Sequence, residues 1–158
     1  MKLRILVVFL SLLAFNAKAE TQSLEPLTSL LEKRPRWASD PTEIAYVSVR
    51  CGSLFWVIGE MFSVSNKKGD EQTGRDLKTA GLKLTLFGDE LSKIDGMSEE
   101  VRNRRQDLLA KAYVDAVKDN RSLHNNMFHG FVEHDFRRCK EIEQMLLYAA
   151  EQANPKKR

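Results

Sequence analysis

The sequence has few of the residues that most small-protein chemistries need. Its 158 residues include only two cysteines and three histidines. No Cys-x-x-Cys or Cys-x-x-Cys-His run occurs, which argues against a redox-active cysteine pair and excludes a covalent haem site. No Glu-x-x-His pair precedes any histidine, so the usual ligand pattern of a di-iron bundle is absent.

Motifs for catalysis and nucleotide binding are also missing. The chain has no Gly-x-Ser-x-Gly elbow, no phosphate loop and no dinucleotide fingerprint. Eight glycines, four prolines and no low-complexity run give no sign of a linker between domains. We therefore expect one domain that is not an enzyme and holds no cofactor.

The N-terminus has the pattern of a secretory signal peptide. Lys2 and Arg4 precede an apolar run over residues 5–15, and Ala17-Lys18-Ala19 follows. The run is short of the roughly 20 apolar residues of a membrane span. No cysteine follows it, as a lipoprotein signal would require. We predict cleavage after Ala19 and a periplasmic or secreted protein.

Removal of this segment changes the charge balance. The loss of Lys2, Arg4 and Lys18 leaves 22 basic residues against 22 acidic ones. The basic character of the full chain therefore belongs largely to the leader and does not indicate a nucleic-acid partner. We interpret the basic tail at 155–158 as a frayed terminus.

Apolar spacing predicts four long helices. The first begins at Pro41 after an Asp40 N-cap, with Glu43 as a capping-box acid, and ends near Ser65. The second begins near Glu71 and ends before Gly96. The third opens at Ser98 and weakens after Val117, and the fourth runs from about Met127 to Ala153. The expected inward side chains are Ile44, Val47, Cys51, Leu54, Ile58 and Met61, then Leu77, Ala80, Leu84, Phe87, Leu91 and Ile94, then Val101, Leu108, Leu109, Ala112, Ala116 and Val117, and finally Val132, Cys139, Ile142, Leu146 and Ala149.

This pattern predicts an all-α protein, an antiparallel up-down four-helix bundle over residues 41–154. A short N-terminal helical arm, residues 20–40, precedes it. The first helix is apolar enough to raise the alternative of a membrane span. Arg50 and Glu60 lie within it and are unfavourable at membrane depth, so we expect a core helix and no stable span.

Small residues recur every seven positions in the first two helices. The glycines of this stripe are Gly52, Gly59, Gly74, Gly81 and Gly88. Glycine inside a helix costs up to about 1 kcal/mol relative to alanine, so a stripe in phase needs a reason. We predict that the two helices pack closely along it as an antiparallel hairpin. The alternative is that the stripe lines an open groove for a partner helix or an apolar ligand.

Two residue pairs should connect the first and fourth helices. Cys51 and Cys139 fall at inward positions of compatible height, and an exported protein would join them as a disulfide. Asp135 is a polar residue at an inward position, and buried carboxylates need partners. Arg50, beside Cys51, is the predicted partner, either as a structural salt bridge or as the polar end of a ligand pocket.

Metal ligands cluster in one segment of the sequence. It holds His124, Met127, His129, Glu133 and His134. These side chains suit copper, nickel or zinc. His129 and His134 are five residues apart, however, which places them on different faces of a continuous helix.

Two functions follow from these observations. The first is an exported, non-enzymatic binding protein that associates with a protein partner or with itself. The alternative is a periplasmic metal-binding protein that uses the segment from His124 to His134.

Overall fold

The described part of the chain, residues 24–65 and 67–153 of a computed structural model, is helical and contains no strand. Of residues 150–153 the structure describes only the backbone. The predicted signal peptide, residues 20–23 of the arm and the basic tail lie outside the described residues. The helices are α1 (Leu27–Glu32), a 3-10 turn (Trp37–Ser39), α2 (Pro41–Ser63), α3 (Asp70–Ile94), α4 (Glu99–His124) and α5 (Phe131–Ala153).

Helix α2 is the centre of the fold. Of its 23 residues, 13 are buried, and it contacts α3, α4, α5 and the 3-10 turn. The Asp40 side chain caps it by accepting hydrogen bonds from the Thr42 and Glu43 amides, as predicted. Glu43 does not complete a capping box, because its carboxylate pairs with Arg34 of the preceding turn.

The helices alternate in direction, which confirms the predicted up-down bundle with a short N-terminal helix. Gly52 faces Gly81 and Gly59 faces Gly74, so α3 runs antiparallel to α2. The Phe55 and Phe136 rings meet edge to face with centroids 5.5 Å apart. Together with the disulfide described below, this contact makes α5 antiparallel to α2 as well.

The boundary between the third and fourth helices was predicted wrongly. Helix α4 continues to His124 and ends at Asn125, whose φ of 49° is left-handed. Asn126 then forms a tight turn by bonding to both the amide and the carbonyl of Phe128. Gly130 has a φ of 56°, so α5 begins at Phe131 and not at Met127.

Several residues predicted to face inward are exposed instead: Phe87, Ile94, Val101, Leu108 and Ala149. The reason in α3 is that the surface against α2 is the glycine stripe, which is displaced by one residue, or about 100°, from the leucine seam. In α4 the buried side chains are Leu109, Tyr113 and Val117. Leu108 is one residue before this buried row and is therefore turned away from it. Ala149 lies close to the end of α5.

Among the described residues, α2 alone is long and apolar enough to cross a membrane. Its apolar window has a mean hydropathy of 1.2, and 72% of that window is buried inside the protein. Burial against α3, α4 and α5 accounts for its apolar composition without a membrane.

Candidate functional site

A buried polar cluster joins α2, α4 and α5. It consists of Arg50, Tyr113 and Asp135, which are 1%, 0% and 0% exposed. The Arg50 Nη2 atom lies 2.6 Å from Asp135 Oδ2, and the Tyr113 hydroxyl donates to the same oxygen at 2.5 Å. Arg50 Nε donates to the Tyr113 hydroxyl at 3.0 Å. The predicted Arg50–Asp135 pair is thus formed, together with Tyr113, which was not predicted.

The N-terminal arm closes this cluster through its backbone. The Leu27 amide donates to Asp135 Oδ1 at 2.6 Å, and the Glu25 carbonyl accepts from Arg50 Nη2 at 2.5 Å. Leu27 and Leu31 are buried beside it. The arm is therefore an integral layer of the core that covers the ion pair.

Burial and charge determine the protonation states within the cluster. Burial alone would lower the pKa of Arg50, but attraction to Tyr113 and Asp135 outweighs it and raises that pKa. Burial, followed by the neighbouring charge of Asp135, raises the pKa of Tyr113 well above its usual value. Arg50 therefore stays charged and Tyr113 stays protonated at neutral pH. Because both Asp135 oxygens have donors and the arm seals the cluster, a ligand reaches it only if the arm moves.

A disulfide lies next to the cluster. Cys51 and Cys139 are bonded, their Cα atoms are 5.3 Å apart, and both side chains are completely buried. The bond joins α2 to α5 one residue from Arg50 and one helical turn from Asp135. The predicted disulfide is therefore present, in a position where solvent reductants have no direct access.

The glycine stripe is the contact surface between α2 and α3. A Cβ added at Gly59 would lie 2.9 Å from the Gly74 carbonyl oxygen, and one at Gly74 would lie 2.8 Å from that of Gly59. At Gly88 it would lie 2.7 Å from the Ala45 carbonyl oxygen. The stripe is therefore filled by backbone, as in the predicted hairpin, and leaves no room along these positions for the alternative of a partner helix or an apolar ligand.

The histidine segment is only partly brought together. His124 at the end of α4 and His129 in the following loop stack, with ring centroids 3.8 Å apart. His134 is exposed on α5, and Glu133 pairs with Arg137. Within residues 24–65 and 67–153, no group of three or more His, Cys, Asp or Glu side chains is positioned to hold a metal ion.

An apolar groove runs along the surface between α3 and α5. Its volume is about 160 Å³. The residues that line it are Ala80, Lys83, Leu84, Phe87, Glu143, Leu146 and Leu147. Phe87 is 44% exposed and Leu147 is 49% exposed, so large apolar surfaces border the groove.

Two components of these sites were missed from sequence. Tyr113 lies four residues after Leu109 and four before Val117, and this spacing alone would have identified it as inward. The contacts of the arm are made by backbone atoms of Glu25 and Leu27, for which a side-chain pattern gives no signal.

Comparison of the chain with protein-family models, with curated protein sequences and with solved structures gives no match.

Proposed function

We propose that this chain is an exported, non-enzymatic helical protein that works by binding a protein partner. The observation that carries the proposal is the groove between α3 and α5, where Phe87 and Leu147 are about half exposed beside an apolar depression. Contiguous apolar surface on a folded domain is typical of interaction sites. Tyr148, on α5, is also exposed.

Export is supported by the disulfide and by the signal-type N-terminus. Structural disulfides form and persist mainly outside the cytosol. The bond between Cys51 and Cys139 lies wholly inside the core, so the two thiols would have to be oxidised to the disulfide while the chain folds. Both features fit a periplasmic or secreted location.

A binding role is also favoured over catalysis by the state of the buried ionisable groups. Strongly perturbed groups often mark active sites, but structural ion-pair networks perturb them as well. Here Arg50, Tyr113 and Asp135 bond to one another and to the arm, and solvent does not reach them. This hydrogen-bonded arrangement is suited to a structural role in which it holds α2, α4, α5 and the arm together.

The test is site-specific cross-linking in the exported protein. A photo-cross-linking amino acid replaces Leu147 at the groove or, as a control, Leu123, which is 75% exposed at the end of α4. The proposal predicts a discrete protein adduct from position 147 and none from position 123. Absence of an adduct at 147, or equal labelling at both positions, would contradict it.

A second candidate function is transition-metal binding at the stacked His124 and His129. The observation that favours it is that the α4–α5 turn brings these two rings into contact, which the sequence spacing alone did not predict. Imidazole nitrogens bind copper, nickel and zinc, and Met127, between them in the chain, offers a thioether that suits copper(I). The rings would have to rotate from their stacked orientation to share an ion.

Calorimetric titration with Cu²⁺, Ni²⁺ and Zn²⁺ tests this candidate. Binding of one ion per chain should be lost in His124→Gln and in His129→Gln, and should persist in the matched control His134→Gln. If the wild-type protein binds none of these ions, or if the control loses binding equally, the metal function is wrong.

A further inference from the structure

The groove between α3 and α5 carries one charge of each sign. Among its lining residues Lys83 is the only base and Glu143 the only acid, and the remainder are apolar. Lys83 lies on α3 and Glu143 on α5. Neither forms an ion pair with another residue in the described part of the chain, although eleven such pairs occur elsewhere in it.

The two helices that form the groove run in the same direction. Both α3 and α5 are antiparallel to α2. The Gly52–Gly81 and Gly59–Gly74 contacts show this for α3, and the Cys51–Cys139 bond with the Phe55–Phe136 contact shows it for α5. The groove therefore has parallel walls, with its positive side chain on one wall and its negative side chain on the other. Both charges border the same small depression, so their heights along the groove are similar.

This pattern is complementary to itself. A two-fold axis parallel to the groove places α3 of one copy over α5 of the other, since the rotation exchanges the two walls. Lys83 then faces Glu143 of the second copy, and Glu143 faces Lys83 of the second copy. A two-fold axis perpendicular to the groove would instead place α3 over α3 and bring like charges together.

We propose that the occupant of the α3–α5 groove is a second copy of this chain, docked about a two-fold axis along the groove. The two Lys83–Glu143 contacts would set the register, and the exposed parts of Phe87 and Leu147 would be buried between them. This inference deepens the proposed function by naming the partner, and in that sense it rests on it. The mature chain's predicted balance of 22 basic and 22 acidic residues adds no net repulsion between copies.

Charge reversal tests the proposal through sedimentation equilibrium of the mature, oxidised protein. The wild-type protein should show a concentration-dependent monomer–dimer equilibrium. Lys83→Glu and Glu143→Lys should each weaken the dimer at least about tenfold, because each places like charges opposite each other. The double variant K83E/E143K should restore the wild-type affinity to within a few fold.

The matched control is reversal of a lysine on the same helix but on another face. Lys78→Glu alters a base that pairs with Glu60 of α2 and does not line the groove, so it should leave dimerisation unchanged. Circular dichroism of every variant verifies that the bundle is folded. If a single groove variant fails to fold, the milder pair Lys83→Gln and Glu143→Gln replaces it, with a smaller loss expected for each.

Three results would overturn the inference. One is a wild-type protein that stays monomeric at concentrations up to about 1 mM. The second is a dimer that is insensitive to single reversal, and the third is one that the double reversal does not restore. The cross-linking experiment distinguishes failure of the self-association proposal from failure of the proposed binding function. An adduct between position 147 and a different protein supports the binding function and refutes self-association. Absence of any adduct refutes both.

Discussion

Gly52 and Gly81 occupy each other's side-chain space. A Cβ on Gly52 would lie 2.7 Å from the Gly81 carbonyl oxygen, and a Cβ on Gly81 would lie 2.8 Å from the Gly52 carbonyl oxygen. Both distances are shorter than real Cβ contacts, and both of these carbonyl oxygens are backbone atoms; at Gly52 the Thr85 hydroxyl oxygen lies closer still. The close approach of α2 and α3 thus depends on hydrogen atoms at these two positions.

Alanine at either glycine should therefore destabilise the protein. We expect Gly52→Ala and Gly81→Ala each to lower the free energy of unfolding by roughly 1–3 kcal/mol, since overpacking outweighs the gain in helix propensity. The double variant should lose less than the sum, because the first methyl group already separates the helices. Urea unfolding measures all three. Thr79→Ala, at an exposed position of α3, is the control, and an additive double variant would contradict reciprocal contact.

The buried ion pair should show strong coupling. Arg50→Met or Asp135→Leu alone leaves one uncompensated buried charge and should destabilise by about 3–5 kcal/mol. The double variant should lose far less than the sum of the two. Equilibrium unfolding of the four proteins gives the coupling free energy. The exposed pair Arg75 and Glu71, treated the same way, should show little coupling; equal coupling in the two cycles would contradict our description of the core.

The contact of the arm with Asp135 is tested by removing one backbone donor. Leu27→Pro and Leu27→Ala both lose the buried leucine side chain, but only proline also loses the amide that donates to Asp135. We expect the proline variant to be less stable than the alanine variant by about 1–3 kcal/mol, because a buried carboxylate loses a hydrogen bond. Thermal unfolding compares the two. Equal stability would show that the amide does not hold the arm.

Tyr113 should make stability sensitive to alkaline pH. Its pKa is raised in the folded protein, whereas in the unfolded chain it is about 10. The stabilisation linked to its proton is therefore complete below pH about 10 and is lost as the pH rises towards the folded-state pKa. The free energy of unfolding should fall more steeply above pH about 10 in the wild-type protein than in Tyr113→Phe. If the free energy of unfolding had the same pH dependence in both proteins, folding would not raise the pKa of the Tyr113 hydroxyl.

The disulfide should contribute substantially to stability. The bond joins two residues that are 88 positions apart in the sequence. For a loop of this length the chain-entropy model gives a stabilisation of about 4–5 kcal/mol. The Cys51→Ala/Cys139→Ala variant should be destabilised by an amount of this order, and reductant should not destabilise it further. Urea unfolding with and without reductant measures both effects. An equally stable double variant would contradict a structural role.

The sequence predicted the fold well where one residue type has one physical use. The Asp40 cap follows from a capping residue type placed directly before Pro41. The inward Cys51 and Cys139 and the glycine stripe follow from spacing on a regular helix. The α4–α5 boundary was misplaced because Asn125 and Asn126, rather than an apolar pattern, end one helix and shape the turn. Phe87 and Ile94 were expected to face inward because a heptad seam was assumed to be the contact surface, whereas the glycines beside it are.

The candidate sites were less accessible to this reasoning. The Arg50–Asp135 pair was predicted from an inward carboxylate that needed a partner. The α3–α5 groove was not predicted. Its position depends on the orientation of α3 about its own axis once its glycine face packs on α2. Likewise the stacking of His124 on His129 depends on a turn whose geometry side-chain periodicity does not encode.

We propose that this protein is exported, and its core is closed by an internal disulfide. The most direct measurement is mass spectrometry of the protein expressed with its own N-terminus, together with thiol alkylation under denaturing conditions. We predict a mature chain that begins at Glu20, with Cys51 joined to Cys139 and no alkylation. A chain that retains Met1, or one with two free thiols, would contradict the claim.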